Sequence, residues 1–248
     1  MSARDAPRPR VHVVHAHSEA DSFVTAMKNV IVAEFRDTGH QVTVSDLHAK
    51  NFNPVASPRD FLERSDASRL VYPLEQRHGY ATGTLAADIH EEIEPVLAAD
   101  LLVFTFPVYW FGAPAILKGW FDRVLLSGVC YGGKRVYGRG GLAGKRAFSA
   151  FSLGAKEGMF GADGIHGELV TGMMRHLFQG TMGYVGLDVV QPFGGYNVPY
   201  IAQDKREGLL DELRAVVRNL DDRPVLAVPD LDDFSEKLLP LHENPAVS

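Results

Sequence analysis

Residues 104–119, FTFPVYWFGAPAILKG, constrain the fold more than any other stretch of the chain. The run at 101–106 is apolar without alternation, which fits a strand covered on both faces. Pro107 has no amide hydrogen to give to a ladder, so the chain must leave the sheet there, and Pro114 suits the first position of a new helix. Tyr109, Trp110 and Phe111 are stranded on the connection. Rings of that size are costly to expose and usually cover something. In an open α/β sheet, ligands collect at the carboxyl ends of the strands where strand order reverses. A flat aromatic ligand is therefore one expectation for this loop, and a cap on the core is the other. A membrane span over 101–117 is a third, which two prolines, a glycine and the short length argue against.

With 248 residues, 46% of them hydrophobic, the chain can build one large α/β domain. Its 25 basic and 31 acidic side chains leave a net charge of -6. That charge is spread along the sequence and offers no footprint for nucleic acid or an anionic membrane. Cys130 is the single cysteine. It excludes an internal disulfide and every multi-cysteine metal motif, and it points to a reducing, cytoplasmic compartment. The opening MSARDAPRPR has no apolar stretch of signal-peptide length and reads as a flexible lead-in.

Residues 11–16 (VHVVHA) predict a first strand and 41–46 (QVTVSD) a second. Between them, Phe23, Met27, Val30, Ile31 and Phe35 recur at near-helical spacing over 23–37, and Gly39 stands where a C-terminal cap belongs. With a right-handed crossover this is a parallel βαβ unit. Residues 47–84, interrupted by Pro54, Pro58 and Pro73, predict a long loop with one short helix. So much irregular chain is usually functional or covers an interface. Helices are expected over 85–97 and 115–126, a glycine-rich loop over 127–144, strands over 145–152 and 185–190, a glycine-rich turn over 154–164, and helices over 165–178 and 205–220. Strands alternating with helices imply a doubly wound, five-stranded parallel sheet in one domain, residues 1–220. The tail, 221–248, carries Pro224, Pro229, Pro240 and Pro245 and should run extended over the domain or a partner subunit.

Residues 17–22 (HSEADS) join the first strand to the first helix, where a doubly wound fold presents free amides to an anion. The G-x-G-x-x-G of a nicotinamide-binding domain is absent. His17, Ser18 and Ser22 can donate to a phosphate, while Asp21 or Ser22 can equally be the helix N-cap. His12, His15 and His17 invite a metal reading, yet His12 points away from the other two on a strand. No cysteine or carboxylate set completes a site, so no metal is expected.

The segments HSEADSF at 17–23, NFNP at 51–54, FPVYWFGAPAILKGWFDRV at 106–124 and GIHG at 164–167 resemble the NAD(P)H:quinone oxidoreductase family of flavodoxin-like flavoproteins, over residues 11–220. The resemblance implies a homodimer with FAD, or FMN in its place, at two interface sites. NADH or NADPH would reduce it, and a quinone or a related flat azo or nitro compound would then occupy the same space. By matching position, His17, Ser22 and Phe23 would touch the phosphate and ribityl part, and Pro107, Val108, Tyr109, Trp110 and Phe111 the isoalloxazine. Ser152, Leu153, Gly154 and Ala155 would follow the pyrimidine edge, with Tyr196 and Arg206 nearer the adenine half. The Gly154 amide would stabilise the charge that hydride transfer creates, and His166 would hold or share a proton. Trp110, Phe111, Tyr131, Phe160 and His166 would line the substrate pocket.

The chain departs from the family at informative positions. Phe160 replaces the tyrosine that animal members place six residues before the histidine, so no phenol–imidazole relay operates. Gly133 replaces the second of a tyrosine pair with Tyr131, which predicts a wider mouth. Val24 and Val71 stand where polar cofactor contacts are expected, and no basic cluster marks a 2′-phosphate site. A flavodoxin-type electron carrier or an ancillary subunit of a potassium-efflux system is the alternative; the modest charge and long covering loops favour the enzyme.

Overall fold

A computed structural model of the protein describes residues 8–241; residues 1–7 of the lead-in and 242–248 of the tail, Pro245 among them, lie outside it. Strand β1 (Arg10–His15) leads through helix α1 (Phe23–Asp37) to β2 (Gln41–Asp46), and helices α2 (Tyr72–Thr82) and α3 (Ala87–Ala98) precede β3 (Leu101–Pro107). Helix α4 (Ala115–Val124), β4 (Arg146–Ser152), a single helical turn α5 (Arg175–Leu177), β5 (Asp188–Val189), β6 (Phe193–Gly195) and α6 (Gln203–Arg218) complete the order. The sheet is parallel, in the order β2-β1-β3-β4-β5, and β6 also pairs with β4. Strand order reverses between β1 and β3, so their carboxyl ends open the crevice of a flavodoxin-like, doubly wound fold.

Every residue of β3 is buried, as its continuous apolar sequence requires. Leu101 and Val103 join Val11, Val13, Phe148 and Ala150 beneath Met27 and Ile31 of α1 and Leu213 and Val217 of α6. Leu102, Phe104 and Phe106 join Val14 and Phe151 on the other face, beneath Ile89 and Ile93 of α3 and Leu117 and Trp120 of α4. Fully burying each such side chain is worth about 1.5–3 kcal/mol, which makes the central strand the firmest support for the loops at its end.

The expected long loop over 47–84 is more ordered than its prolines suggested. Pro73 sits in the first turn of α2, where its missing amide costs nothing, and Gly83 caps the helix at φ 70°. Buried Arg123 ties this segment down: it donates to Asp60 at 2.9 and 3.1 Å and to the Asn53 carbonyl at 2.8 Å. Buried Glu92 accepts from Trp120 at 2.7 Å, Ser45 at 3.0 Å and Lys50.

Three expectations need correction. Pro114 is the N-cap of α4, one position before its first helical residue. The helix expected over 165–178 is absent as such: wide π-helical turns Leu169–Met173 and Phe178–Gly183 flank α5. Gly183 permits the tail to pack against this segment, because a Cβ there would stand 2.7 Å from Val228. The last strand is broken, since only Asp188 and Val189 of the expected run pair with β4, and Phe193–Gly195 resumes after Pro192. The tail does more than run extended. Leu226 donates to Val189 at 2.7 Å, the Gln191 amide donates to Pro224 at 2.8 Å, and 3-10 turns form at Leu220–Asp222 and Leu231–Asp233.

Candidate active site

Three loops meet at the carboxyl ends of β1, β3 and β4. In the first, Ser22 caps α1, its hydroxyl accepting from the Thr25 amide at 3.1 Å and donating to Thr25 Oγ1 at 3.0 Å. The amides of His17, Ser18, Ala20, Asp21, Phe23 and Val24 meet no acceptor among the described residues. They surround the positive end of a 15-residue helix, which makes the turn an anion cradle without any glycine. His17 Nδ1 accepts from the Glu19 amide at 3.0 Å, so its proton sits on Nε2, facing outward. Burial, with nearby His48, lowers its pKa and keeps it a neutral donor.

The second loop follows β3. Tyr109 and Gly112 exchange two backbone hydrogen bonds of 3.0 Å, which makes Trp110 and Phe111 the centre of a two-residue turn. Both have positive φ, 50° and 56°, in a geometry ordinarily given to Asn-Gly. Trp110 is 97% exposed, whereas the Phe111 ring lies 5.2 Å from His166 and 6.3 Å from Phe160. The Val108 amide donates to Ser152 at 2.8 Å, joining this loop to the third.

In that third loop the Leu153 amide donates to Gly195 at 2.9 Å, and the carbonyls of Leu153 and Ala155 accept from Val198 and Asn197. The amides of Gly154 and Ala155 are left without an acceptor among the described residues. Downstream, the His166 amide donates to Met159 at 3.0 Å, and the turn places the imidazole 5.4 Å from Phe160. Tyr196 stands against Phe160 at 5.9 Å, so it belongs to the histidine cluster more closely than to Arg206. Arg206 donates instead to the Val198 carbonyl at 3.1 Å. Burial raises the phenols of Tyr196 and Tyr131.

Tyr131 is the residue the single chain does not bring to this cluster. Its ring packs on Tyr184, 5.7 Å away. Near it, Gly133 has φ 60° and open space where a side chain would be. Sequence reasoning also missed a buried support beneath the first loop. His15 Nδ1 lies 2.8 Å from Thr105 Oγ1 and Nε2 3.2 Å from Thr25 Oγ1, whose hydroxyl donates to the Glu19 carbonyl at 2.8 Å. Because Thr25 gives its proton to Glu19, His15 must donate from Nε2; burial lowers its pKa to about 4 and keeps it neutral. The signal was present as polar residues in otherwise apolar strands.

A cavity of about 320 Å³ lies at the opposite, amino end of the sheet, near Glu34, His40, Arg146 and Arg218. Four of its charges are paired, Arg218 with Glu34 at 2.8 Å and Arg146 with Asp221. Among the described residues no group of three or more His, Cys, Asp or Glu is placed to hold a metal, and no helix is long and apolar enough to cross a membrane.

A family model described as flavodoxin-like fold matches residues 9–219. NAD(P)H dehydrogenase (quinone) 1 of Rattus norvegicus is 36% identical over 203 residues, covering 82% of this chain and 74% of that protein. Ribosyldihydronicotinamide dehydrogenase (quinone) of Homo sapiens is 36% identical over 202 residues, covering 81% of this chain and 87% of that protein. A crystal structure described as a candidate quinone reductase from Klebsiella pneumoniae superposes with a TM-score of 0.86 at 28% identity, over 97% of this chain and 99% of that one. A family match over residues 9–219 and relatives 36% identical over four fifths of the chain place it in the flavodoxin-like family, and within it the chain belongs to the NAD(P)H:quinone oxidoreductases.

Proposed function

We infer that the protein is a flavin-dependent NAD(P)H:quinone oxidoreductase that passes two electrons as hydride, in ping-pong order, from reduced nicotinamide to a quinone or a related flat azo or nitro compound. The observation that carries this is the convergence of two sets of unpartnered amides, those of the β1–α1 turn and those of Gly154 and Ala155, on one crevice beside His166 and the Trp110–Phe111 turn. A flat, phosphorylated cofactor fits that donor set. A bound flavin supplies a two-electron store that accepts hydride from NAD(P)H and delivers it to the quinone.

The residues then divide the work. The amides around Phe23 and the Nε2 of His17 hold a phosphate at the α1 N-terminus. Ser22 serves the site by fixing the helix, since its proton is already given to Thr25. Pro107, Val108 and the Trp110–Phe111 turn form a wall that orients a flat ring and keeps water from it. The Gly154 and Ala155 amides, preorganised beside Ser152 and Leu153, stabilise negative charge at the pyrimidine edge. His166 holds or shares a proton at its imidazole; with Phe160 as its ring neighbour, its exchange partner is water rather than a phenol.

FAD is the proposed flavin, with Arg206 toward its adenine half and Tyr196 beside Phe160 in the histidine cluster. A cytoplasmic homodimer is proposed with it. A partner subunit would cover Trp110, Ile165 and Tyr200, all exposed here, and would bring Tyr131 of one protomer to the pocket of the other. Acid release and chromatography of the flavin from purified, yellow protein should give FAD, and FMN alone would replace it in this account. Anaerobic NADH or NADPH should bleach the colour and a quinone restore it. His166→Gln should slow single-turnover flavin reduction by about 100-fold. A colourless protein that takes up neither flavin would sink the proposal.

A further inference from the structure

Loop 127–135 carries cations that no step above uses. Arg77 of α2 lies across it, its Nε donating to Ser127 Oγ at 2.9 Å. Its stem occupies the space of any side chain at Gly128, where a Cβ would stand 2.6 Å from Arg77 Cγ, and its Nη2 lies 3.0 Å from a Cβ at Gly132. Both glycines have positive φ, 86° and 153°, so the loop closes over this one side chain because neither position carries a Cβ. From the far side, Arg135 donates to the carbonyls of Gly128 and Val129, each at 3.2 Å. The two guanidiniums line one cavity of about 440 Å³, together with Tyr80 and Ser127.

Neither guanidinium pairs with a carboxylate among the described residues. Arg123, by contrast, is buried and held by Asp60. Lys134 adds a third cation, with only the exposed Glu236 near it at 3.5 Å. A guanidinium fixed by its own neighbours, exposed, and lacking a counter-ion presents a planar fork that matches the two oxygens of a phosphate or carboxylate. Tyr131 belongs to the same loop and feels the Arg77 charge, which opposes the rise that burial imposes on its phenol.

We propose that Arg77 and Arg135 form an oxyanion subsite at the mouth of the quinone pocket, binding a phosphate or carboxylate carried by one of the two substrates. The proposal rests on the placement of Tyr131 at that pocket. Positions 77 and 135 are remote in sequence and meet only in the fold. The oxyanion has two sources, the phosphates of NADH or NADPH and an acidic substituent on the quinone.

Steady-state kinetics of the flavin-loaded protein separate them. Arg77→Met keeps the aliphatic stem between the glycines and removes the fork. One arm fixes an uncharged quinone and compares NADPH, NADH and dihydronicotinamide riboside, which has no phosphate. The other fixes the riboside and compares quinones with and without a carboxylate. KM for the oxyanion-bearing substrate should rise about tenfold, kcat should move less than about twofold, and the difference should shrink at high salt. Arg77→Lys should recover part of it, and Arg135→Gln should repeat the pattern. Equal changes for charged and uncharged ligands, or no change in either arm, would overturn the subsite. Should Arg77→Met fail to fold, calorimetric titration of the unaltered protein with inorganic pyrophosphate decides: salt-sensitive binding supports the subsite and its absence at low salt removes it. Failure of the unaltered protein to bind any flavin would instead remove the oxidoreductase, a separate result.

Discussion

The β1–α1 and β3–α4 turns hold opposite sides of one crevice and are built on opposite terms. The first is relaxed: Ser22 caps the helix, Thr25 and His15 brace it from below, and its free amides follow from helix geometry alone. The second is strained, with Trp110 and Phe111 both forced to positive φ, at a cost of order 1–3 kcal/mol each. Trp110 gains no packing within the chain in return, since it is almost wholly exposed. A fold that tolerates such a turn retains it for what the two rings face. Binding geometry here comes free from secondary structure on one side and against local preference on the other.

Replacing Trp110 by Gly is the sharpest way to break this contrast. Relief of the left-handed strain should stabilise the flavin-free protein by about 1 kcal/mol, while loss of the wall should lower kcat/KM for quinone about 100-fold. Destabilisation in urea would show that no strain is stored at Trp110. A smaller effect concerns the brace under the relaxed turn. His15 has a folded pKa of about 4, lowered chiefly by burial, against 6.5 for the free group. Between those values the unfolded chain binds a proton that the folded one refuses. His15 should therefore leave stability intact above pH 6.5 and lower it as pH drops toward 4, by of order 2 kcal/mol at pH 5, and His12, held near 4 by burial in the same way, should act in the same direction. His15→Gln should remove about half of that dependence in urea titrations at pH 7 and 5, leaving the share of His12; an unaltered slope would mean that His15 does not contribute. Smallest is Ser22→Ala, expected to cost about 1 kcal/mol of stability and to change flavin affinity less than about threefold, a figure read by fluorescence titration. A much larger loss of affinity would make Ser22 a ligand rather than a cap.

The regular frame was readable because its signals are local. Continuous apolar residues marked β3, helical spacing with a following glycine marked α1, and the segment QVTVSD marked β2, whose bounds agree with the sequence expectation. The π-helical turns were not readable, because the apolar spacing of the span still looks helical, and the packing of Gly183 against Val228 of the tail is a long-range fact. Gln191 and Pro192 could have flagged the break before β6. Of the site, the β1–α1 turn and the aromatic loop were legible as segments. The primed turn at Trp110 and Phe111 was not, since its usual residues are Asn and Gly. Neither the His15–Thr105 pairing nor the Arg77–Ser127 contact could be seen, for both join residues many positions apart.

The broken fifth strand has a consequence for how the molecule behaves among its copies. A parallel sheet ends in a row of unpaired amides and carbonyls, and a long flat row of that kind recruits strands from other chains. Here that border is two short pieces separated by Pro192, and the tail crosses the gap, with Val225 bridging Val190 in antiparallel sense and Leu226 bonding to Val189. The segment after α6 thus works as a selvage, finishing an edge that would otherwise invite aggregation at high concentration.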